Sequence, residues 1–187
     1  MKIPESAKPL LEASLFGLHR ALRAGHAIDE ASLDDTEYLG ISVGMPRFIE
    51  RLSWKTFTKT FHRDPETREL RGWNVRMEQT GVEGEAIPMK RPKSASGEPF
   101  TWGHYRVYAE GRGMMIDYGV PGNPFFVSRM RDPLVAVSPG DPSVLLGVSY
   151  FDLGLFRLLT PTYFVLVRRG PLTYYASRSA ISSKTAP

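Results

Sequence analysis

The sequence predicts an α+β chain, mostly β: an antiparallel meander of about eight strands closing into an up-and-down barrel, preceded by N-terminal helices. Three observations predict it. Apolar residues at helical spacing are confined to the N-terminal part. From residue 54 onward, short runs alternate in polarity and recur at regular intervals. Glycine- and proline-bearing turns join neighbouring runs, so hairpins follow one another in series. A meander of this strand number removes its exposed edges by closing on itself.

The elements follow in order. Leu11, Leu15, Leu18 and Leu22 fall on one face of a 3.6-residue period, with Pro9 suited to the first turn, Arg20 and Arg23 near the C-terminal end and Gly25 just beyond it. A short acidic helix or turn is expected over Ile28–Tyr38, and another helical piece around Pro46–Leu52. The run from Trp54 to His62 alternates strictly: Phe57 and Phe61 share a face with Lys55 and Lys59, opposite Trp54, Thr56, Thr58, Thr60 and His62. A polar turn through Gly72 leads to a strand from Trp73 to Gln79, and Gly81–Pro99 reads as a long loop. Thr101–Glu110 and Gly113–Tyr118 form a hairpin around Gly111 and Gly113. Asp132–Val137 and Val144–Tyr150 pair across Pro139–Pro142. Thr162–Arg168 supplies a further strand and Leu172–Ala176 a candidate last one. The reading is one domain: 1–52 helical, 53–176 barrel, 177–187 a flexible tail.

Composition excludes several classes. At 187 residues the chain supports one core, and 42% hydrophobic with 24% charged residues is a globular balance. No run approaches the roughly 18 apolar residues of a membrane-spanning helix. The absence of cysteine removes disulfides, thiol catalysis and thiolate metal sites. Pro4, Glu5 and Lys8 stand where a secretory apolar region would lie, so a cytoplasmic location is expected by default. The formal charge is +4, but basic residues cluster only at Lys90-Arg91-Pro92-Lys93, without interleaved aromatics, and nucleic acid is not the expected partner.

Leu39-Gly40-Ile41-Ser42-Val43-Gly44, followed by Trp54-Lys55-Thr56-Phe57 and later by Ile116-Asp117-Tyr118 and Arg131-Asp132-Pro133-Leu134, resembles the order of elements in small bacterial GXWXG-type proteins of unknown function. Here Ile41, Ser42 and Val43 stand between the two glycines in place of the central tryptophan. The general architecture also resembles lipocalin-like (calycin) barrels. The resemblance implies a calycin-like barrel and brings no established activity with it.

Candidate chemistry is sparse. His19, His26, His62 and His104 lack close metal-ligand spacing, and neither a metal nor a cofactor is expected. Nucleophile-elbow, phosphate-loop and dinucleotide fingerprints are missing. Trp102, His104, Arg106 and Tyr108 share one face of a strand. Facing inward, they would line a pocket for a hydrophobic molecule with an acidic or carbonyl end; facing outward, they would leave Tyr105 and Val107 in the core. Asp117, in an apolar strand, is a candidate base, or else a partner for an arginine such as Arg131. The leading expectation is a binding protein holding a fatty acid, terpenoid or polyketide-like ligand inside the barrel, contacted by Trp54, His62, Trp73, Trp102, His104 and Tyr118. The alternative is a cofactor-independent isomerase, cyclase or lyase with His104 as acid or base, assisted by Asp117 and Arg106. Phe125 and Phe126 read as a lid or a core anchor. The apolar stretch Phe151–Leu159 is expected to be buried; exposed, it would mark a ligand portal or an association patch such as a homodimer contact.

Overall fold

The computed structural model describes residues 3–44, 55–82, 84–91 and 97–176. Trp54, the 46–52 piece and the 177–187 tail lie outside the described residues. Eight strands close a barrel in sequence order, every neighbouring pair antiparallel: β1 Thr36–Val43, β2 Thr56–Arg63, β3 Leu70–Arg76, β4 Thr101–Glu110, β5 Gly113–Asp117, β6 Met130–Ser138, β7 Asp141–Asp152 and β8 Arg157–Pro171. The seam runs between β1 and β8, from Thr36 opposite Pro171 to Val43 opposite Tyr163.

The closing strand differs from the one expected. β1 lies within the segment read as helical, whereas Leu172–Ala176 is no strand. All eight β1 residues are buried, so no polar face shows the period of two that marks a half-exposed strand. Leu172 instead donates its amide to the Asp35 carbonyl at 3.1 Å and packs with Trp73, Val75 and Met77 on the outside of the sheet.

The single N-terminal helix expected is two helices, α1 Lys8–Leu11 and α2 Leu15–Ala24. The Ser14 hydroxyl accepts from the Gly17 amide at 3.2 Å and caps the second. Leu18 is fully buried, and with Ala7 and Leu10 it covers an outer apolar face made by Leu39, Ile41, Val43, Leu146 and Val165 of β1, β7 and β8. Burying one such leucine contributes roughly 2–3 kcal/mol. Past α2, Ile28 and Leu33 enter the interior cluster and plug one end of the barrel.

The interior is filled by rings that lie over glycines. A Cβ at Gly40 would overlap the Phe57 ring, one at Gly147 the Phe164 ring, and one at Gly72 both the Thr60 carbonyl and the Tyr105 ring. Each glycine is the neighbouring-strand space into which an aromatic lies, the device that lets a narrow barrel pack without a void. Tyr38 meets Phe61 edge-on at 5.5 Å and Tyr105 meets Tyr118 at 5.3 Å. Among the described residues no helix is long and apolar enough to cross a membrane.

Candidate functional site

Strand parity decides which side chains face outward. On β2 the interior takes Phe57, Lys59 and Phe61, and His62 points out beside Arg71 of β3, its cross-strand neighbour. Trp73 lies on the outer face of β3. On β4, Tyr105 and Val107 belong to the core and His104, Arg106 and Tyr108 face outward, the second of the two orientations the sequence left open. A register shift between Gly72 and Asn74, with Gly103 at φ +54°, sets Trp102 opposite Asn74 on the inner side. The four residues expected to share a face are therefore divided by a bulge.

His62, Trp73 and His104 come together on the outer flank. They line a cleft of about 1060 Å³, walled by the β2–β3 turn (Asp64, Pro65, Glu66, Thr67), by the loop from Val120 to Pro124, and by Ala176. The turn is held by the Asp64 carboxylate, which accepts the Glu66 and Thr67 amides at 3.0 Å each. The Asn123 amide donates to the His104 and Tyr118 carbonyls at 2.7 Å, fastening the opposite wall. The Trp73 and His104 rings stand 6.2 Å apart, and Tyr175 meets the His62 ring edge-on at 4.9 Å. Burial, helped by the charge of Arg91, pushes His104 down to about 4, so its imidazole is neutral at pH 7. Trp73 Nε1 is buried and finds no hydrogen-bond partner.

Beside the cleft, a transverse row crosses the sheet from His62 through Arg71, Arg106 and Asp117 to Arg131. Asp117 is 2% exposed and fully engaged: Arg106 donates at 2.8 and 3.0 Å, Arg131 lies at 2.8 Å, and the Gly119 amide donates at 2.7 Å. Asp117 thus takes the arginine-paired alternative of the two read from sequence. Arg106 is committed to it in turn.

Tyr118 is an expected ligand contact that points into the barrel core, and what it meets there was not anticipated. Its hydroxyl accepts from the Lys59 ammonium and donates to Asp132 Oδ2 at 3.0 Å. Lys59 Nζ also lies 3.1 Å from Asn74 Oδ1 and 3.2 Å from Asp132 Oδ2, so all three of its protons have acceptors. The rings of Phe57, Tyr105, Tyr118 and Phe164 surround the ammonium with centroids 4.9 to 5.8 Å away. Burial pushes Lys59 below the ordinary lysine value while the Asp132 carboxylate opposes the shift. Burial pushes the Tyr105 and Tyr118 phenols up, so both remain protonated donors. The sequence held one signal of this cluster: Lys59 shares its face with two phenylalanines.

No known protein family and no curated protein matches this chain. Among the described residues no three His, Asp or Glu side chains gather as a metal site.

Proposed function

We propose that this protein binds a small amphiphilic molecule in the flank cleft rather than within the packed barrel interior. The observation that carries the reading is the cleft of about 1060 Å³ with Trp73 at its floor and two imidazoles in its walls. Clefts of this order enclose ligands of drug size, with an apolar lining and a few convergent polar groups. The apolar body lies on Trp73 between Pro65, Pro121 and Pro124. An acidic or carbonyl end meets His62 and the Arg71 guanidinium. The neutral His104 presents one donor and one acceptor.

The acid–base alternative lacks the same support, because Asp117 and Arg106 neutralise each other and His104 is a weak base at about 4. The test is titration with anilinonaphthalene sulfonate, an aromatic anionic amphiphile whose emission rises in apolar sites. Saturable emission lost in His62→Ala and Arg71→Ala, and kept in Leu155→Ser outside the cleft lining, supports the cleft. Emission unchanged in both cleft variants would overturn it.

A further inference from the structure

The stretch Phe151–Leu159, expected to be buried, is exposed at its tip: Leu155 is 99% and Phe156 62% accessible, and Leu153 and Leu158 also stand out. The one-turn helix α3, Phe125–Ser128, projects Phe125 and Phe126, 74% and 64% exposed. The two features are neighbours on one rim of the barrel. The Asp152 amide donates to the Arg129 carbonyl at 2.8 Å, and Met130 pairs with Phe151. Six large apolar side chains thus crown one end of the molecule, exposed among the described residues.

We propose that this rim docks on the surface of an anionic lipid bilayer. Charge is the first support. Arg129 lies over the Phe125 ring at 5.2 Å and Arg157, next to Phe156 in the chain, over the Tyr150 ring at 5.2 Å, so two guanidinium groups adjoin the apolar tips and can meet lipid headgroups. The chain carries a formal +4. Backbone chemistry is the second support. At the β7–β8 tip the Leu153 amide donates to the Phe156 carbonyl at 3.1 Å, the Gly154 amide to Asp152 Oδ1 at 3.0 Å and the Leu155 amide to the Leu153 carbonyl at 3.2 Å. Three successive amides of the tip thus carry their own partners into a medium of low dielectric. At α3 the Ser128 amide and hydroxyl turn back onto the Pro124 and Phe125 carbonyls. The wall of the barrel, by contrast, carries the Arg71–Arg106–Asp117–Arg131 row, so the tips alone meet lipid and the protein lies on the surface.

The experiment is co-sedimentation of the full chain with phosphatidylcholine vesicles, either plain or carrying about one third phosphatidylserine. Binding is expected to the anionic vesicles alone and to weaken with salt. The pair Leu155→Ser with Phe156→Ser, and separately Phe125→Ser with Phe126→Ser, is expected to lower partitioning about tenfold or more with the circular dichroism unchanged. Arg129→Gln and Arg157→Gln each lower it about fivefold. Failure to pellet with anionic vesicles, or serine variants that pellet like the native chain, overturns the proposal. So does a dimer that the Leu155/Phe156 pair of changes dissolves while vesicles bind neither form.

Discussion

Lys59 Nζ stands 3.2 Å from Asp132 Oδ2, with both side chains 2% exposed, in the centre of a barrel otherwise packed with rings and aliphatic groups. An ion pair so deep is weak evidence for stability, since desolvating two charges offsets most of their attraction. Its effect is specificity. Lys59 joins β2, Asn74 joins β3, Tyr118 follows β5 and Asp132 joins β6, so one network reads the register of four elements at once. Asp132 Oδ1 is left without a partner, which keeps this network short of complete satisfaction.

Breaking the pair on one side strands the other charge. Lys59→Met or Asp132→Leu alone is expected to cost about 3–5 kcal/mol in urea unfolding. Combining them should recover most of that loss, with a coupling of at least about 2 kcal/mol. Additive losses would show that the two groups act independently.

His104 makes stability depend on acid. Its folded value of about 4 lies below the ordinary histidine value of about 6.5, so the unfolded chain takes up the proton first as pH falls. Stability is therefore fully present above about pH 6.5 and drains away towards pH 4, by an amount on the order of 2–3 kcal/mol. In His104→Gln this part of the slope should vanish. Parallel native and variant curves of urea midpoint against pH would refute the assignment.

Gly72 has no room for a methyl group, since Thr60 O and the Tyr105 ring occupy the position. The Tyr105 hydroxyl reaches across it to donate to Thr60 O at 2.7 Å. Gly72→Ala should cost about 3 kcal/mol or more, read as a drop in thermal midpoint. At Gly140, in an open turn at φ +69° with nothing near it, alanine should cost only about 1 kcal/mol. Equal losses at the two positions would remove the packing argument.

Asp117 gathers Arg106, Arg131 and the Gly119 amide on one buried carboxylate. Asp117→Asn weakens the charge-assisted bonds from three partners, and a loss of about 2 kcal/mol is expected. The exposed Glu110→Gln on the adjoining strand should stay within about 0.5 kcal/mol. Chemical denaturation of both variants checks the contrast.

The residues show where local pattern is enough. Alternation from Thr56 to His62 grouped Lys59 with Phe57 and Phe61 on one face of β2, although the expected ligand contacts put the opposite face, with His62, inward; the glycine turns located most of the hairpins. β1 escaped because both of its faces are buried, and burial on both sides erases the period of two. Trp102 escaped for another reason: the bulge at Gly103 reverses parity within one strand, and a register shift leaves no mark on composition. Among the candidate residues, His62, Trp73 and His104 do gather, but on the outer flank.

By itself the sequence determined an antiparallel meander of about eight strands behind N-terminal helices, because alternation, turn residues and helical spacing are local properties that neighbouring residues carry. Only the tertiary structure decided which strand closes the barrel, which face is the inside, and that the inside is filled. Those outcomes depend on pairs such as Gly72 with Tyr105 and Lys59 with Asp132, 33 and 73 positions apart in the chain. Packing, not periodicity, selects between two faces of equal pattern.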